Sequence, residues 1–80
     1  MPTVIREAGF EVRIYTLDHP PPHVHVWKAG KEVVINLGKG AEKPAIRDIN
    51  DMKKGDVRKA YSVVEQSLAY LREKWREYHG

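Results

Sequence analysis

The sequence contains no cysteine and no apolar run that approaches the length of a membrane span. The absence of cysteine excludes disulfides, thiolate chemistry and the common zinc-finger patterns, and it is compatible with a reducing cytoplasm. The absence of a long apolar run predicts no transmembrane helix, and the opening MPTVIREAGF lacks the apolar core of a signal peptide. We therefore expect a soluble, cytoplasmic protein that makes no membrane contact.

Candidate nucleophiles and phosphate-binding loops are also scarce. Ser62 and Ser67 are the only serines, and neither follows the glycine-rich elbow that presents a catalytic serine. Gly38 and Gly40 are not followed by the Gly-Lys-Ser/Thr pattern of a phosphate loop. These patterns argue against covalent serine catalysis and against nucleotide-dependent chemistry.

Alternation of apolar and polar residues dominates the first half of the chain. FEVRIYT (residues 10–16) and HVHVWK (residues 23–28) place apolar side chains on every second position, as half-buried strands do. Ala29 and Gly30 predict a hairpin turn, and KEVVINL (residues 31–37) predicts the antiparallel strand that follows it. KPAIRDI (residues 43–49) predicts one more short strand. We expect four or five antiparallel strands between about residues 2 and 49.

The last third of the sequence has the periodicity of an amphipathic helix. Apolar residues recur at steps of three and four, and they are Val57, Ala60, Tyr61, Val64, Leu68, Leu71, Trp75 and Tyr78. This stripe predicts one long helix over about residues 55–78. The expected fold class is α+β, with an antiparallel meander of four or five short strands packed on one long C-terminal helix in a single domain over residues 1–80.

Positive charge is concentrated in one stretch, residues 39–59, which we call the basic segment. It holds seven cations and four acids, so its excess equals the net charge of +3 of the whole chain. Such a segment is either a solvated surface or a contact site for nucleic acid or an acidic protein. The candidate nucleic-acid-binding residues lie around the predicted start of the helix, and they are Lys53, Lys54, Arg58 and Lys59.

The most distinctive stretch is DHPPPHVHVW, residues 18–27, which contains three of the four histidines. His23 and His25 are two residues apart on a predicted strand, so their side chains point to the same face about 7 Å apart. His19 precedes three prolines, which predict a stiff, extended connector that holds His19 in a fixed relation to His23 and His25. Asp18 is adjacent to His19 and could orient an imidazole or supply an oxygen ligand.

Three interpretations of this cluster remain open. His19, His23 and His25, with Asp18, could bind zinc or another borderline divalent metal. Alternatively, His19, His23 and His25 could act as general acid and base, as cleavage of RNA by its own 2′-hydroxyl requires. In the third interpretation the protein needs no cofactor, and the histidines with Trp27 form a polar–aromatic face that packs on the helix, a second chain or a partner.

The motif DHPPPHVH, residues 18–25, resembles the signature of a bacterial family known as domain of unknown function 4160. That signature is Asp/Asn-His-x-Pro-Pro-His-Val-His and follows a Gly-Phe strand, matched here by Gly9 and Phe10. The opening MPTVIR and the late GDVRKA and KWREYHG also resemble the family, so the resemblance covers nearly the whole chain. The resemblance identifies His19, His23 and His25 as positions of the family signature. It assigns a catalytic role to none of them.

The resemblance also implies a biological setting. Members of the family tend to be encoded beside a second small protein, in pairs that look like toxin–antitoxin modules, and some carry transcription-regulator labels. We therefore expect a small bacterial binding or regulatory module that contacts the protein encoded by the neighbouring gene. RNA or DNA and a second copy of the chain, in a homo-oligomer, are further candidate partners. The alternative is a histidine-dependent or metal-assisted endoribonuclease, and the sequence does not decide whether the protein is an enzyme.

Overall fold

The alternating residues of the first half form a five-stranded antiparallel sheet in a computed structural model that describes residues 3–79. The order of strands in the sheet follows the order in the sequence, so the strands form a meander. Two helices follow the last strand. The elements are β1 (Thr3–Glu7), β2 (Phe10–Arg13), β3 (His23–Lys28), β4 (Lys31–Asn36), β5 (Ala45–Asn50), α1 (Lys54–Gln66) and α2 (Leu68–His79). The predicted α+β class and the fifth strand are confirmed, while residue 2 of the expected strand region lies outside the described residues.

The turn between β3 and β4 determines which side chains face each other across these strands. Ala29 and Gly30 both have positive φ angles, of 50° and 77°, as in the two-residue turns that match the twist of a hairpin. A two-residue turn fixes the register, so Trp27 lies opposite Glu32 and the following pairs alternate between the two faces of the sheet. The predicted turn at Ala29 and Gly30 therefore sets the positions of residues on the polar face.

The core lies between one face of the sheet and the two helices. Phe10, Val12 and Ile14 share this face, as their alternation predicts. The strands contribute the buried residues Phe10, Val12, Val24, Val26, Val33 and Ile35, and Ile14 and Leu37 directly follow β2 and β4. The helices contribute Ala60, Val63, Val64, Leu71 and Trp75. The predicted helical stripe is thus the surface that packs on the sheet.

The helical region differs from the prediction of one long helix, because Ser67 separates α1 from α2. Ser67 has φ −114° and ψ 22°, outside the helical range, although its N–H still donates to the carbonyls of Val63 and Val64. A straight helix over the predicted 24 residues would measure about 36 Å, whereas the longest dimension of the molecule is 32 Å. The break allows both halves of the apolar stripe to bury against the same small sheet. Neither helix within the described residues is long and apolar enough to cross a membrane.

Candidate functional site at the start of strand β3

Asp18, His23 and His25 converge on a single point at the start of β3. The Nε2 atom of His23 lies 3.1 Å from Oδ2 of Asp18, and the Nε2 atom of His25 lies 2.9 Å from the same oxygen. The side chain of His23 is only 6% exposed, while that of Asp18 is 23% exposed. The cluster is therefore closed on the histidine side and reaches solvent through the carboxylate.

The Nδ1 atom of each imidazole, on the side of the ring away from Asp18, forms a hydrogen bond with an oxygen of the protein. The Nδ1 atom of His23 lies 2.8 Å from the carbonyl oxygen of Pro21, and that of His25 lies 2.6 Å from Oε2 of Glu32. A carbonyl oxygen only accepts, so Nδ1 of His23 carries a proton and donates to Pro21. A neutral His23 therefore has its lone pair on Nε2, which faces Asp18. Both ring nitrogens of His25 face carboxylate oxygens, Nδ1 that of Glu32 and Nε2 that of Asp18.

Glu32 is oriented in turn by the neighbouring strand. The side-chain amide of Asn50 in β5 donates to Oε1 of Glu32 at 2.8 Å, while Oε2 of Glu32 accepts from His25. Sequence reasoning missed Glu32 and Asn50. The turn at Ala29 and Gly30 could have revealed Glu32, because a two-residue turn places it diagonally across from His25 on the same face.

Aromatic side chains cover the cluster on two sides. The ring of Trp75, from α2, lies 5.3 Å from the ring of His23, and the ring of Tyr15 lies 4.3 Å from that of His25. His79, the fourth histidine, stacks on Trp75 at 3.7 Å and its Nε2 contacts the carbonyl oxygen of Tyr15 at 3.1 Å. The end of α2 therefore closes the site. Packing of the histidines on the helix was one of the three interpretations of the sequence, but no sequence pattern indicated that Trp75 and His79 make the contact.

The structure does not bring His19 into the cluster. His19 is exposed, and the ligand atoms that converge within 4.8 Å of one another belong only to Asp18, His23 and His25 among the described residues. The prolines act on the next part of the chain instead. The carbonyl oxygen of Pro21 holds His23, and that of Pro22 accepts from the N–H of Leu37 at 2.9 Å. The connector therefore fixes the start of β3.

The rest of the polar face carries charged and aromatic side chains. Arg13 donates to Glu11 at 2.7 Å, and its guanidinium lies 5.1 Å from the centre of the Trp27 ring. Hydrogen bonds from Arg13 lower the pKa of the Glu11 carboxyl from its ordinary value. The indole N–H of Trp27 donates to the hydroxyl of Tyr15 at 3.1 Å, which links this group to the histidine cluster.

The cations of the basic segment remain exposed and unpaired. None of them forms an ion pair with an acid anywhere in residues 3–79, and they are Lys39, Lys43, Arg47, Lys53, Lys54, Arg58 and Lys59. Three acids of the same segment bind other groups. Asp56 pairs with Lys28 from β3, while Glu42 and Asp48 accept backbone N–H groups. The four candidate nucleic-acid-binding residues are therefore all accessible.

A cavity of about 750 Å³ lies beside the proline connector and the basic segment. Its lining includes Pro21 of the connector, whose carbonyl holds His23. It also includes Lys39 and Lys43 of the basic segment. A molecule bound in this cavity would therefore contact cations of the basic segment and the backbone that positions His23.

Together, the fold and the site define a small α+β protein whose antiparallel sheet carries a histidine–carboxylate cluster beside a basic surface. Comparison with known families matches residues 9–76 to the family described as Domain of unknown function (DUF4160). The match covers most of the chain, so the protein belongs to this family, as its DHPPPHVH motif predicts. Neither a curated protein nor a solved structure matches the chain.

Proposed function

We propose that the protein is a small bacterial regulatory module of the cytoplasm, one component of a toxin–antitoxin-like gene pair, that binds nucleic acid through its basic segment. The observation that carries this proposal is the set of seven exposed cations that form no ion pair within residues 3–79. Most cations outside the basic segment do have acidic partners, as Lys74 has Glu77 and Arg76 has Glu73. A concentration of unpaired positive charge attracts the phosphate backbone of nucleic acids.

The start of α1 is the best candidate for the contact itself. Lys53 precedes the helix, and Lys54, Arg58 and Lys59 lie in its first two turns with exposed side chains. The buried residues of α1 face the sheet, so these cations project away from the core. Phosphate contacts of this kind determine affinity and orientation without reading base sequence, and we therefore expect binding that is largely independent of sequence.

Replacement of Lys53, Lys54, Arg58 and Lys59 by alanine is expected to weaken binding to RNA and DNA of every sequence. If these four cations contact phosphates, raising salt from 50 to 200 mM should weaken binding of the unaltered protein by roughly 50- to 150-fold. The four-site variant should lose most of this salt dependence. Fluorescence anisotropy with labelled single- and double-stranded oligonucleotides measures both effects.

A variant with the same loss of charge serves as the control for this experiment. It replaces four cations outside the basic segment by alanine, and these are Arg6, Lys31, Lys74 and Arg76. Its affinity should fall much less than that of the first variant, because the proposal assigns the contact to the basic segment. Equal losses in the two variants, or binding that ignores salt, would contradict the proposal.

The protein partner encoded by the neighbouring gene is the second part of the proposal. The edge strand β5 supports it, because Ile46 and Ile49 are 39% and 49% exposed there and the outer side of the strand has no partner strand among the described residues. An exposed strand edge can pair with a strand of another chain, including a second copy of this protein. Co-expression with the neighbouring gene, followed by a pull-down, tests for the protein partner.

The second candidate function is an endoribonuclease, and the convergence of Asp18, His23 and His25 favours it. Both Nε2 atoms face the Asp18 carboxylate, and His23 is nearly buried, so neither imidazole points freely at a substrate. The geometry therefore supports a metal-assisted reaction better than acid–base catalysis by free imidazoles. An RNA-cleavage assay with and without a chelator distinguishes the two mechanisms, and the absence of cleavage under both conditions argues against this candidate.

A further inference from the structure

We propose that Asp18, His23 and His25 form a binding site for one divalent transition metal ion, with Zn²⁺ as the best match. The three candidate ligand atoms are Nε2 of His23, Nε2 of His25 and Oδ2 of Asp18, and they all lie within 4.8 Å of one another. The proposal does not rest on nucleic-acid binding, because it uses none of the cations of the basic segment.

The hydrogen bonds around the cluster allow both Nε2 atoms to act as metal ligands. The carbonyl of Pro21 requires the proton of a neutral His23 on Nδ1, and Glu32 is placed to accept the proton of a neutral His25 at Nδ1 in the same way. Each Nε2 then presents a lone pair to an oxygen of Asp18 that also carries lone pairs. Such atoms repel one another at 2.9 and 3.1 Å unless a positive charge lies between them. Either a metal ion or additional protons must supply that charge.

The spacing of the ligand atoms is suitable for a small metal ion. Zn²⁺ binds imidazole nitrogen and carboxylate oxygen at about 2.0–2.2 Å with tetrahedral geometry, which places neighbouring ligand atoms about 3.4 Å apart. The Nε2–Oδ2 distances of 2.9 and 3.1 Å differ from this value by a few tenths of an ångström. A shift of a few tenths of an ångström between the partly exposed carboxylate of Asp18 and each ring would bring these two distances to the tetrahedral value.

The donor set determines which ion fits. Two imidazole nitrogens and one carboxylate oxygen are ligands for zinc and related borderline metals, whereas calcium and magnesium prefer sites made of oxygen. Only three protein ligands converge among the described residues, and the partly exposed side of Asp18 faces solvent. The fourth position is therefore open to a water molecule or to an oxygen of a substrate.

The partners of the imidazoles match those found around metal-bound histidines. A ligating histidine usually donates its second N–H to a carboxylate or a backbone carbonyl, which fixes the ring and raises its basicity. His25 has a carboxylate in this position, Glu32, which Asn50 holds in place, and His23 has the carbonyl of Pro21. Glu32 is thus a positioning residue for the proposed site, and the proline connector performs the same task for His23.

Titration of ZnCl₂ into the metal-free protein, followed by isothermal calorimetry at one fixed pH, tests the site. We expect one ion per chain for the unaltered protein. Asp18→Asn and His25→Ala should each weaken binding by at least about 100-fold, and Glu32→Gln by about 10- to 100-fold. Circular dichroism of each variant confirms that it is folded, and Asp18→Asn changes the side-chain shape so little that its folding is secure.

His19→Ala is the matched control, because it removes an exposed histidine one residue from Asp18 but outside the converging set. Its zinc affinity should equal that of the unaltered protein. An equal loss for His19→Ala and His25→Ala, or no saturable binding of zinc by the unaltered protein, would overturn the proposal. Neither result depends on whether the protein binds nucleic acid. The experiment therefore tests the metal site independently of the proposed nucleic-acid binding by the basic segment.

NMR of the imidazole nitrogens distinguishes the metal from the protons that could replace it. With zinc bound, His23 and His25 should each show a protonated Nδ1 and a metal-bound Nε2 without a proton. If both rings instead carry protons on both nitrogens and zinc leaves their signals unchanged, the cluster is a hydrogen-bonded ion cluster and the metal site is disproved.

Discussion

Leu71→Ala is expected to destabilise the protein by about 2–5 kcal/mol, the usual range for removing a fully buried leucine side chain. Leu71 has no solvent exposure and packs with the core residues of both the sheet and α1. A domain of this size has a total stability of roughly 4–12 kcal/mol. The substitution should therefore lower the melting temperature by more than about 10 °C, as measured by thermal circular dichroism.

Leu17→Ala makes the same chemical change at a position that is 88% exposed, and it is the control for Leu71→Ala. We expect a change of no more than about 0.5 kcal/mol there. Leu68 begins α2 and is only partly buried, so Leu68→Ala should have an intermediate effect. Similar melting temperatures for Leu71→Ala and Leu17→Ala would show that α2 does not pack on the sheet as described.

Arg72→Ala is expected to reduce the free energy of unfolding by about 2–3 kcal/mol, because the guanidinium joins α2 to the loop between β4 and β5. It donates to the carbonyl oxygens of Leu37, Gly40 and Glu42 at 3.0, 3.0 and 3.1 Å. Without Arg72 the carbonyl of Leu37, which is partly buried, loses this donor. Denaturant unfolding measures the change in stability, and hydrogen exchange should increase in residues 37–42.

Two variants show whether the geometry of the guanidinium matters. Arg72→Lys keeps the positive charge but lacks the planar fork that reaches several acceptors, so it should recover only part of the stability. Arg76→Ala removes an exposed arginine of the same helix. Arg76 forms an ion pair only with Glu73, three residues earlier in α2, so the free energy of unfolding should change by no more than about 0.5 kcal/mol. If Arg72→Lys is as stable as the unaltered protein, charge alone explains the role of Arg72.

Arg72 is also relevant to the cavity beside the site. The loop that it holds contributes Lys39 to the cavity wall, and Pro21, which positions His23, also lines the cavity. Loosening the loop should therefore disturb any ligand bound in the cavity. It should leave Asp18 and His25 in place, because they contact each other and His25 is held by Glu32, whose other oxygen accepts from Asn50.

The structure gives the three prolines a different role from the one that the sequence predicts. The sequence favours a rigid arm that holds His19 in a fixed relation to His23 and His25. In the structure His19 is exposed, and the carbonyl oxygens of Pro21 and Pro22 bind His23 and Leu37. A proline has no N–H to donate but keeps its carbonyl, so consecutive prolines present acceptors without competing donors. The connector thus orients His23 through its backbone.

Local periodicity was sufficient to predict the faces of the elements. Side chains of a strand alternate because of the backbone geometry, so the sequence alone placed His23 and His25 on one face and Val24 and Val26 on the other. The same reasoning identified the helical stripe and the α+β class. These features depend on residues close in the chain, and tertiary contacts do not have to be known to infer them.

Only the tertiary structure decided which residues complete the site and how the helical region is divided. The sequence had named Asp18 as a candidate ligand, whereas Glu32 and Trp75 meet the two histidines because of the register of a hairpin and the packing of α2. The break at Ser67 likewise follows from the size of the sheet that both helices must cover. The periodicity of a sequence shows to which face of a single strand or helix each side chain points. These contacts depend instead on how the strands and helices lie relative to one another, which is fixed when the core packs.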